Sequence, residues 1–219
     1  MNLLVTAGPT LEYLDPIRFL SNPSTGFLGY LIARKAAALG HKTVLVTGPT
    51  CLDAPEGVRV IRVVSALEMR DAVLACFPEA DALVMTAAVS DWRPAVRCSE
   101  KLKRKIPWKL PLVPNPDILK DVARVKSSRQ IVVGFALESE ALLENGWRKL
   151  REKDLDVIVI NTTSNFGEGG GKGPVYVLDR DGNIKDCTGF SKARIASLLL
   201  SRLQSAYPAG RKRTLRRER

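Results

Sequence analysis

Histidine is almost missing from this chain: His41 is the only one in 219 residues. A Ser-His-Asp or Cys-His nucleophile system would have to be built on it. It stands in LGHKTV, a turn between a helix and a strand, where a surface role is the simpler expectation. The cysteines are few and far apart (Cys51, Cys76, Cys98 and Cys187), with no CxxC pair. That spacing argues against structural zinc and against a disulfide framework. Long apolar runs are also lacking, since VIVI and LLL are far shorter than a membrane span. The opening MNLLVTAGPT has no basic segment followed by a longer apolar stretch. A cytoplasmic protein with no membrane partner is expected. No repeat or low-complexity segment occurs.

What is present is an ordinary globular composition, 45% hydrophobic and 26% charged, enough to build a sizeable core. The length suits one domain, expected over residues 1–207, followed by a basic, disordered tail at 208–219. The formal charge is +11, and RKRTLRRER (211–219), with six bases and one acid, supplies +5 of it. No aromatic residue interleaves with that tail, so it reads as a solvated end and nucleic acid is not the expected partner. One further basic cluster, RCSEKLKRKIPWK (97–109), is internal.

Strand and helix patterns alternate along the chain. NLLVTA, KTVLVTG, VRVIRVV, ADALVMTAAV, QIVVGFAL and LDVIVIN read as strands. TGFLGYLIARKAAALG, SALEMRDAVLACF, NPDILKDVARV, SEALLENGWRKLREK and SKARIASLLLSRLQ read as helices. Ser65 and Glu68 form a capping box, and Asn115 is read as the N-cap before Pro116 at the first helical position. GPVYVLDRDGNIKDCT reads as a C-terminal hairpin turning at Asp181-Gly182. Continuously apolar strands alternating with helices predict an α/β fold: a Rossmann-like, doubly wound, mostly parallel sheet with helices on both faces, extended by the hairpin.

TGFLG before a helix resembles the glycine loop of a nicotinamide-binding fold, but its position is wrong. There the glycines follow the first strand directly, so that the turn carries a pyrophosphate onto the helix N-terminus. Here GPTLEYLDPIRFLSNPS intervenes, and a stretch that long inside a domain points to function. No Tyr-x-x-x-Lys pair suits a short-chain dehydrogenase, because Tyr30 and Arg34 fall within the glycine helix. What remains is a helix N-terminus at which Ser24, Thr25 and Gly26 offer hydroxyl and N–H groups to a phosphate. Read alone, the same residues are more simply Ser24 as a helix N-cap and Gly29 as a packing glycine.

VTAGPTLEYLDPIRFLSNPSTGFLG resembles the N-terminal segment of phosphopantothenoylcysteine synthetase, the ligase of coenzyme A synthesis. TAAVSDWRPA, EKLKR, NPDIL, VGFALE, WRKLREKDLD and VINTTSNFG continue the resemblance in family order from residue 3 to about 190. The family is often fused behind a flavin-dependent decarboxylase; with Met1 leading straight into the first strand, a stand-alone form is expected, its product passing to a separate decarboxylase. The resemblance implies a homodimer in which the C-terminal hairpin extension assists. It also implies a reaction in which the carboxylate of 4'-phosphopantothenate attacks the α-phosphate of CTP, with magnesium (Mg2+), and L-cysteine then displaces CMP. A nucleotide-binding protein without catalysis, or one associated with nucleic acid, is the alternative on this fold.

The same resemblance assigns residues. Asn22 matches the catalytic asparagine, Arg18 the arginine beside it, and Lys101 the lysine that opens a mobile basic strap (97–109) over the triphosphate. Ala87, Ala88, Asp91, Asn115, Pro116, Asp117, Ile118, Phe135, Lys149 and Lys153 match nucleotide positions, and Ser24, Thr25 and Gly26 would receive the substrate phosphate. No residues are assigned to the metal. Read from the sequence alone, Phe135 is a core residue, WRKLREK a solvated charged face and RCSEKLKRK a basic loop. Phe27 and Leu11 stand where the family usually carries basic residues, and GEGGGKG (167–173) replaces a stretch that commonly carries acids and an asparagine. These departures bear on substrate affinity more than on reaction type.

Overall fold

The computed structural model describes residues 1–103, 109–165 and 173–207. Residues 104–108 of the basic cluster, 166–172 of the glycine run and the tail from 208 lie outside the described residues. In chain order the first elements are β1 (Asn2–Ala7), β2 (Leu11–Tyr13), β3 (Phe19–Ser21), α1 (Phe27–Ala38), β4 (Lys42–Thr47), β5 (Val58–Arg62), α2 (Ala66–Cys76) and β6 (Ala82–Met85). The rest are β7 (Trp92–Pro94), β8 (Leu112–Pro114), α3 (Ile118–Val125), β9 (Ile131–Glu138), α4 (Leu142–Glu152), β10 (Val157–Thr162), β11 (Tyr176–Asp179), β12 (Ile184–Asp186) and α5 (Lys192–Ala206).

One eight-stranded sheet runs β5-β4-β1-β6-β9-β10-β11-β12. Its first six strands are parallel, and β11 and β12 extend it as an antiparallel hairpin. The chain leaves β1 toward β4 and β5, then returns to β6 on the other side, so the order reverses between β1 and β6. This is the doubly wound arrangement read from the alternation. Leu3, Val5 and Ala7 of β1 pack beneath α1 and α5, while Leu4 joins Met69, Val73, Ile118 and Leu150 from α2, α3 and α4 on the opposite face. Burial on both faces is why these strands read as continuous apolar runs rather than alternating ones.

The glycines that resemble a cofactor loop close a packing gap instead. Gly26 adopts a left-handed φ of 75° as the residue before α1. A Cβ at Gly29 would meet Ala7 Cβ and Thr86 Oγ1 at 2.6 Å and the Thr6 carbonyl oxygen at 2.8 Å. Helix α1 can therefore lie directly on the end of β1.

Two helix starts need comment. Glu68 caps α2 with Ser65, but its carboxylate takes the N–H of Val64, one residue earlier than a reciprocal capping box requires. Helix α3 corrects the sequence reading: Asp117, not Asn115, is its N-cap, accepting the N–H of Lys120 at 3.3 Å. Asn115 is unavailable because its side chain is bonded elsewhere, and Pro116 therefore precedes the cap.

Two short hairpins were not legible as strands. β2 pairs with β3, and β7 pairs with β8, each through three residues. Segments this short show no period of apolar residues. The hairpins pack against each other outside the main sheet.

The close approach at Gly29 sets an expectation. Gly29→Ala should lower stability by about 1–3 kcal/mol through overpacking against β1, read as a lower urea midpoint with an unchanged slope. An unchanged midpoint would show that α1 has room to move off the strand.

Candidate functional site

The site begins with two buried threonines in VTAGPT. Thr6 and Thr10 are both fully buried at the C-terminal end of β1. Thr6 Oγ1 accepts the N–H of Ala87 at 3.1 Å, and Thr10 Oγ1 accepts that of Ser90 at 3.0 Å. Between them the Gly8 carbonyl accepts the N–H of Ala88 at 2.9 Å. The loop after β6 is thus held to β1 residue by residue. Asn115 then hangs α3 from that loop: its N–H reaches the Asp91 carbonyl at 2.8 Å, and Nδ2 reaches the Ser90 carbonyl at 2.9 Å. Arg93 donates to Asn115 Oδ1 at 3.1 Å and to the Pro114 carbonyl at 2.6 Å, completing the corner.

Above this frame lies an open cleft of about 770 Å³. Its walls are the end of β6 with its loop, the ends of β9 and β10, the start of α3, and α4. Ala87, Ala88, Asp91, Asn115, Pro116, Asp117, Ile118, Phe135, Lys149 and Lys153 all line it, and Asn22 stands at its side. Small side chains at Ala87 and Ala88 leave the loop backbone open to the cleft, while Phe135, Ile118 and Leu119 supply apolar surface.

Among the described residues the charged lining is two lysines and two aspartates, so its formal charge is balanced. Lys153 Nζ pairs with Asp117 Oδ2 at 2.9 Å. Lys149 Nζ stands 2.6 Å from Glu138 Oε1, a carboxylate that the sequence reading did not single out. Glu138 lies next to the cleft residue Leu137 on β9, and only parallel pairing brings that strand end beside α4. Lys149 and Lys153 sit one helical turn apart and face the same space, as their spacing predicts.

Asn22 bridges the exit of β3 to the loop after β6. Its Nδ2 donates to the Val89 carbonyl at 3.0 Å and reaches that of Ala88 only at 3.5 Å. The amide nitrogen therefore has one good acceptor and a second at the limit of hydrogen-bond length. Arg18, Lys101, Ser24, Thr25 and Gly26 do not line the cleft. Arg18 pairs with Asp15 at 3.2 Å and donates to the Leu102 carbonyl at 3.0 Å. The hydroxyls of Ser24 and Thr25 accept the N–H groups of Gly26 and Phe27, each at 3.3 Å, so the expected phosphate donors are engaged within their own turn. Beside them, Lys192 Nζ lies 5.8 Å from the Phe27 ring centroid, placing a cation next to the position where the family usually has one.

His41 lies away from all of this, at the start of β4 and so at the opposite end of the sheet. Its ring contacts Gln204 at 3.2 Å, and burial together with the N-terminal ammonium holds its pKa below the ordinary value. Among the described residues no three histidine, cysteine or acidic side chains converge on a metal-sized site. None of the described helices is long and apolar enough to cross a membrane.

Comparison with known proteins places this architecture. A family model described as the C-terminal domain of DNA/pantothenate metabolism flavoprotein matches residues 1–207. The Coenzyme A biosynthesis bifunctional protein CoaBC of Bacillus subtilis (strain 168) is 37% identical over 206 residues, covering 92% of this chain and 50% of that protein. The chain spans about half the length of the curated relatives it matches. The crystal structure of the C-terminal domain of a CoaBC superposes with a TM-score of 0.80 at 34% identity, covering 93% of this chain and 94% of that one. A Cab2 mutant in complex with phosphopantothenate-cysteine has a TM-score of 0.74 at 15% identity, over 94% of this chain and 87% of that one, a likeness of fold alone. The chain belongs to the DNA/pantothenate metabolism flavoprotein C-terminal domain family.

Proposed function

We propose that the chain is a CTP-dependent phosphopantothenate–cysteine ligase. One observation carries the reading: every residue that the family resemblance assigns to the nucleotide, apart from Lys101, lines the same cleft as Asn22. Its similarity to bifunctional proteins of coenzyme A biosynthesis supports the same reading. A carboxylate oxygen of 4'-phosphopantothenate attacks the α-phosphorus of CTP, and the bond from that phosphorus to pyrophosphate breaks. The amine of cysteine then attacks the acyl carbon, loses a proton, and expels CMP. A decarboxylase consumes the product.

The residues suit this chemistry by positioning and electrostatics. Alanines at 87 and 88 let the nucleotide approach the loop backbone, the opening of α3 offers groups to the base, and Phe135 offers a face to stack on. The described lining, with its balanced charge, cannot neutralise a triphosphate by itself. The negative charge would be met by magnesium arriving with the phosphates, with Asp91 and Asp117 as the carboxylates at hand, and by Lys101 brought from the basic strap. Assembly into a homodimer is supported by apolar side chains exposed on the two small hairpins: Ile17, Phe19, Trp92 and Leu112 are each 41–57% exposed. Strand β12, the edge of the C-terminal hairpin, offers mostly polar surface by comparison.

The reading is tested by pyrophosphate release with 4'-phosphopantothenate, cysteine and magnesium. Release is expected with CTP and to a smaller extent with ATP. Nucleotide binding without any release would leave a non-catalytic nucleotide-binding protein.

Asn22 gives a sharper test. Asn22→Asp replaces the amide donor by an acceptor facing the Val89 carbonyl and any acyl oxygen that turns anionic. Loss of one oxyanion donor costs about 3–4 kcal/mol, a roughly hundred- to thousandfold slower step. Attack by cysteine depends most on that donor, because the first step develops its charge on phosphate. The variant should bind CTP yet accumulate acyl-cytidylate, detectable by mass spectrometry. A folded variant that forms product at the wild-type rate would remove Asn22 from the mechanism.

A further inference from the structure

The described part of the basic segment is fastened to the β2–β3 hairpin at several points. The Cys98 N–H donates to the Leu14 carbonyl at 2.8 Å, and the Arg97 guanidinium lies 5.1 Å from the Tyr13 ring centroid. Further along, both backbone groups of Leu102 are captured. Its N–H donates to Asp15 Oδ2 at 3.1 Å, and its carbonyl accepts from Arg18 Nη1 at 3.0 Å. Lys101 stands between these fastenings, next to Leu102.

Asp15 itself is fully buried. A buried carboxylate is costly unless its oxygens are bonded, and here the two oxygens have different tasks. Oδ1 accepts the N–H groups of Ile17 and Arg18, at 2.9 and 2.8 Å, and closes the hairpin's own turn. Oδ2 reaches across to Leu102 and to the Arg18 guanidinium. Burial alone would raise this carboxyl. The N–H bonds from Ile17, Leu102 and Arg18 and the charge of Arg18 outweigh it and hold the group below the ordinary carboxylate range, so it accepts throughout neutral pH.

We infer that Asp15 is a positioning residue for Lys101: its second carboxylate oxygen fixes the start of the strap to the hairpin that also delivers Asn22 to the cleft. A lysine side chain is long and freely rotating, so where its charge can act depends on where its backbone is held. The link runs from Lys101 through Leu102 and Asp15 to β3 and Asn22, and from Asn22 to the Val89 carbonyl. The inference rests on the proposed reading in one respect, that Lys101 meets the triphosphate.

Asp15→Asn separates the two tasks. The amide oxygen still accepts from Ile17 and Arg18, while an NH2 group now faces the Leu102 N–H and the Arg18 guanidinium. Leu102→Pro removes the donor from the strap side and leaves the hairpin untouched. Each variant should raise the KM for CTP roughly tenfold, the scale of one hydrogen bond to a charged group, with kcat for bound substrates reduced less. In a Lys101→Ala background the same changes should move KM by less than about twofold, because the residue being positioned is gone. Hydrogen exchange at the Leu102 amide should quicken in Asp15→Asn by at least roughly tenfold more than exchange at the amides of β1, which report any fall in global stability. Equal effects in both Lys101 backgrounds, or unchanged exchange at Leu102, would overturn the inference. If exchange responds and the wild-type protein releases no pyrophosphate, the fastening stands and the ligase reading is what fails.

Discussion

Everything in the site hangs from the C-terminal end of β1. Thr6 and Thr10 have no exposed surface, and their hydroxyls do for the next loop what a neighbouring strand would do, accepting its N–H groups in turn. Without them the loop after β6 would leave buried backbone donors unpaired, at a cost of about 1–3 kcal/mol each. With them the loop becomes a fixed ledge. Asn115 fastens to the ledge, α3 begins two residues further on with Asp117 as its cap, and Lys153, just past the end of the neighbouring α4, meets Asp117 at the head of α3.

This arrangement also explains how a doubly wound sheet comes to lack a dinucleotide turn. In such folds the crevice opens where the strand order reverses, here between β1 and β6. That crevice is filled: the Gly8 carbonyl bonds Ala88, and α1 rests on Ala7 through Gly29. The open space moves sideways, over the ends of β6, β9 and β10. The chain between β1 and α1 is then free to form a hairpin, and that hairpin holds Asp15, Arg18 and the approach to Asn22.

The cleft's electrostatics follow from what the sheet brings alongside α4. Lys149 meets Glu138 from β9, and Lys153 meets Asp117 from the start of α3. These pairs are partly buried, and they hold two long side chains at the wall of the cleft. A ligand that competes for those lysines meets cations already extended toward it, in exchange for the carboxylates it displaces.

The order of elements was legible because it depends on local pattern: apolar runs, glycine stops, the Ser65 cap and the Asp181-Gly182 turn are each properties of a few neighbouring residues. The family resemblance named part of the cleft lining, since ordered motifs survive as strings, together with Arg18, Lys101, Ser24, Thr25 and Gly26, which lie outside it. The partners of those residues were decided only by the tertiary structure. Asn115 reads as a helix cap until the loop after β6 claims its side chain, leaving the cap to Asp117. Glu138 lies just past the apolar run QIVVGFAL and was not singled out; parallel pairing of β9 sets it beside Lys149. Nothing in the local sequence singles out Asp15; its second oxygen is taken by a segment 87 positions later, which only the fold brings to it. A sequence determines which atoms can donate and accept; the long-range register of strands and loops decides which of them meet, because burial leaves each group only the partner that the fold brings within reach.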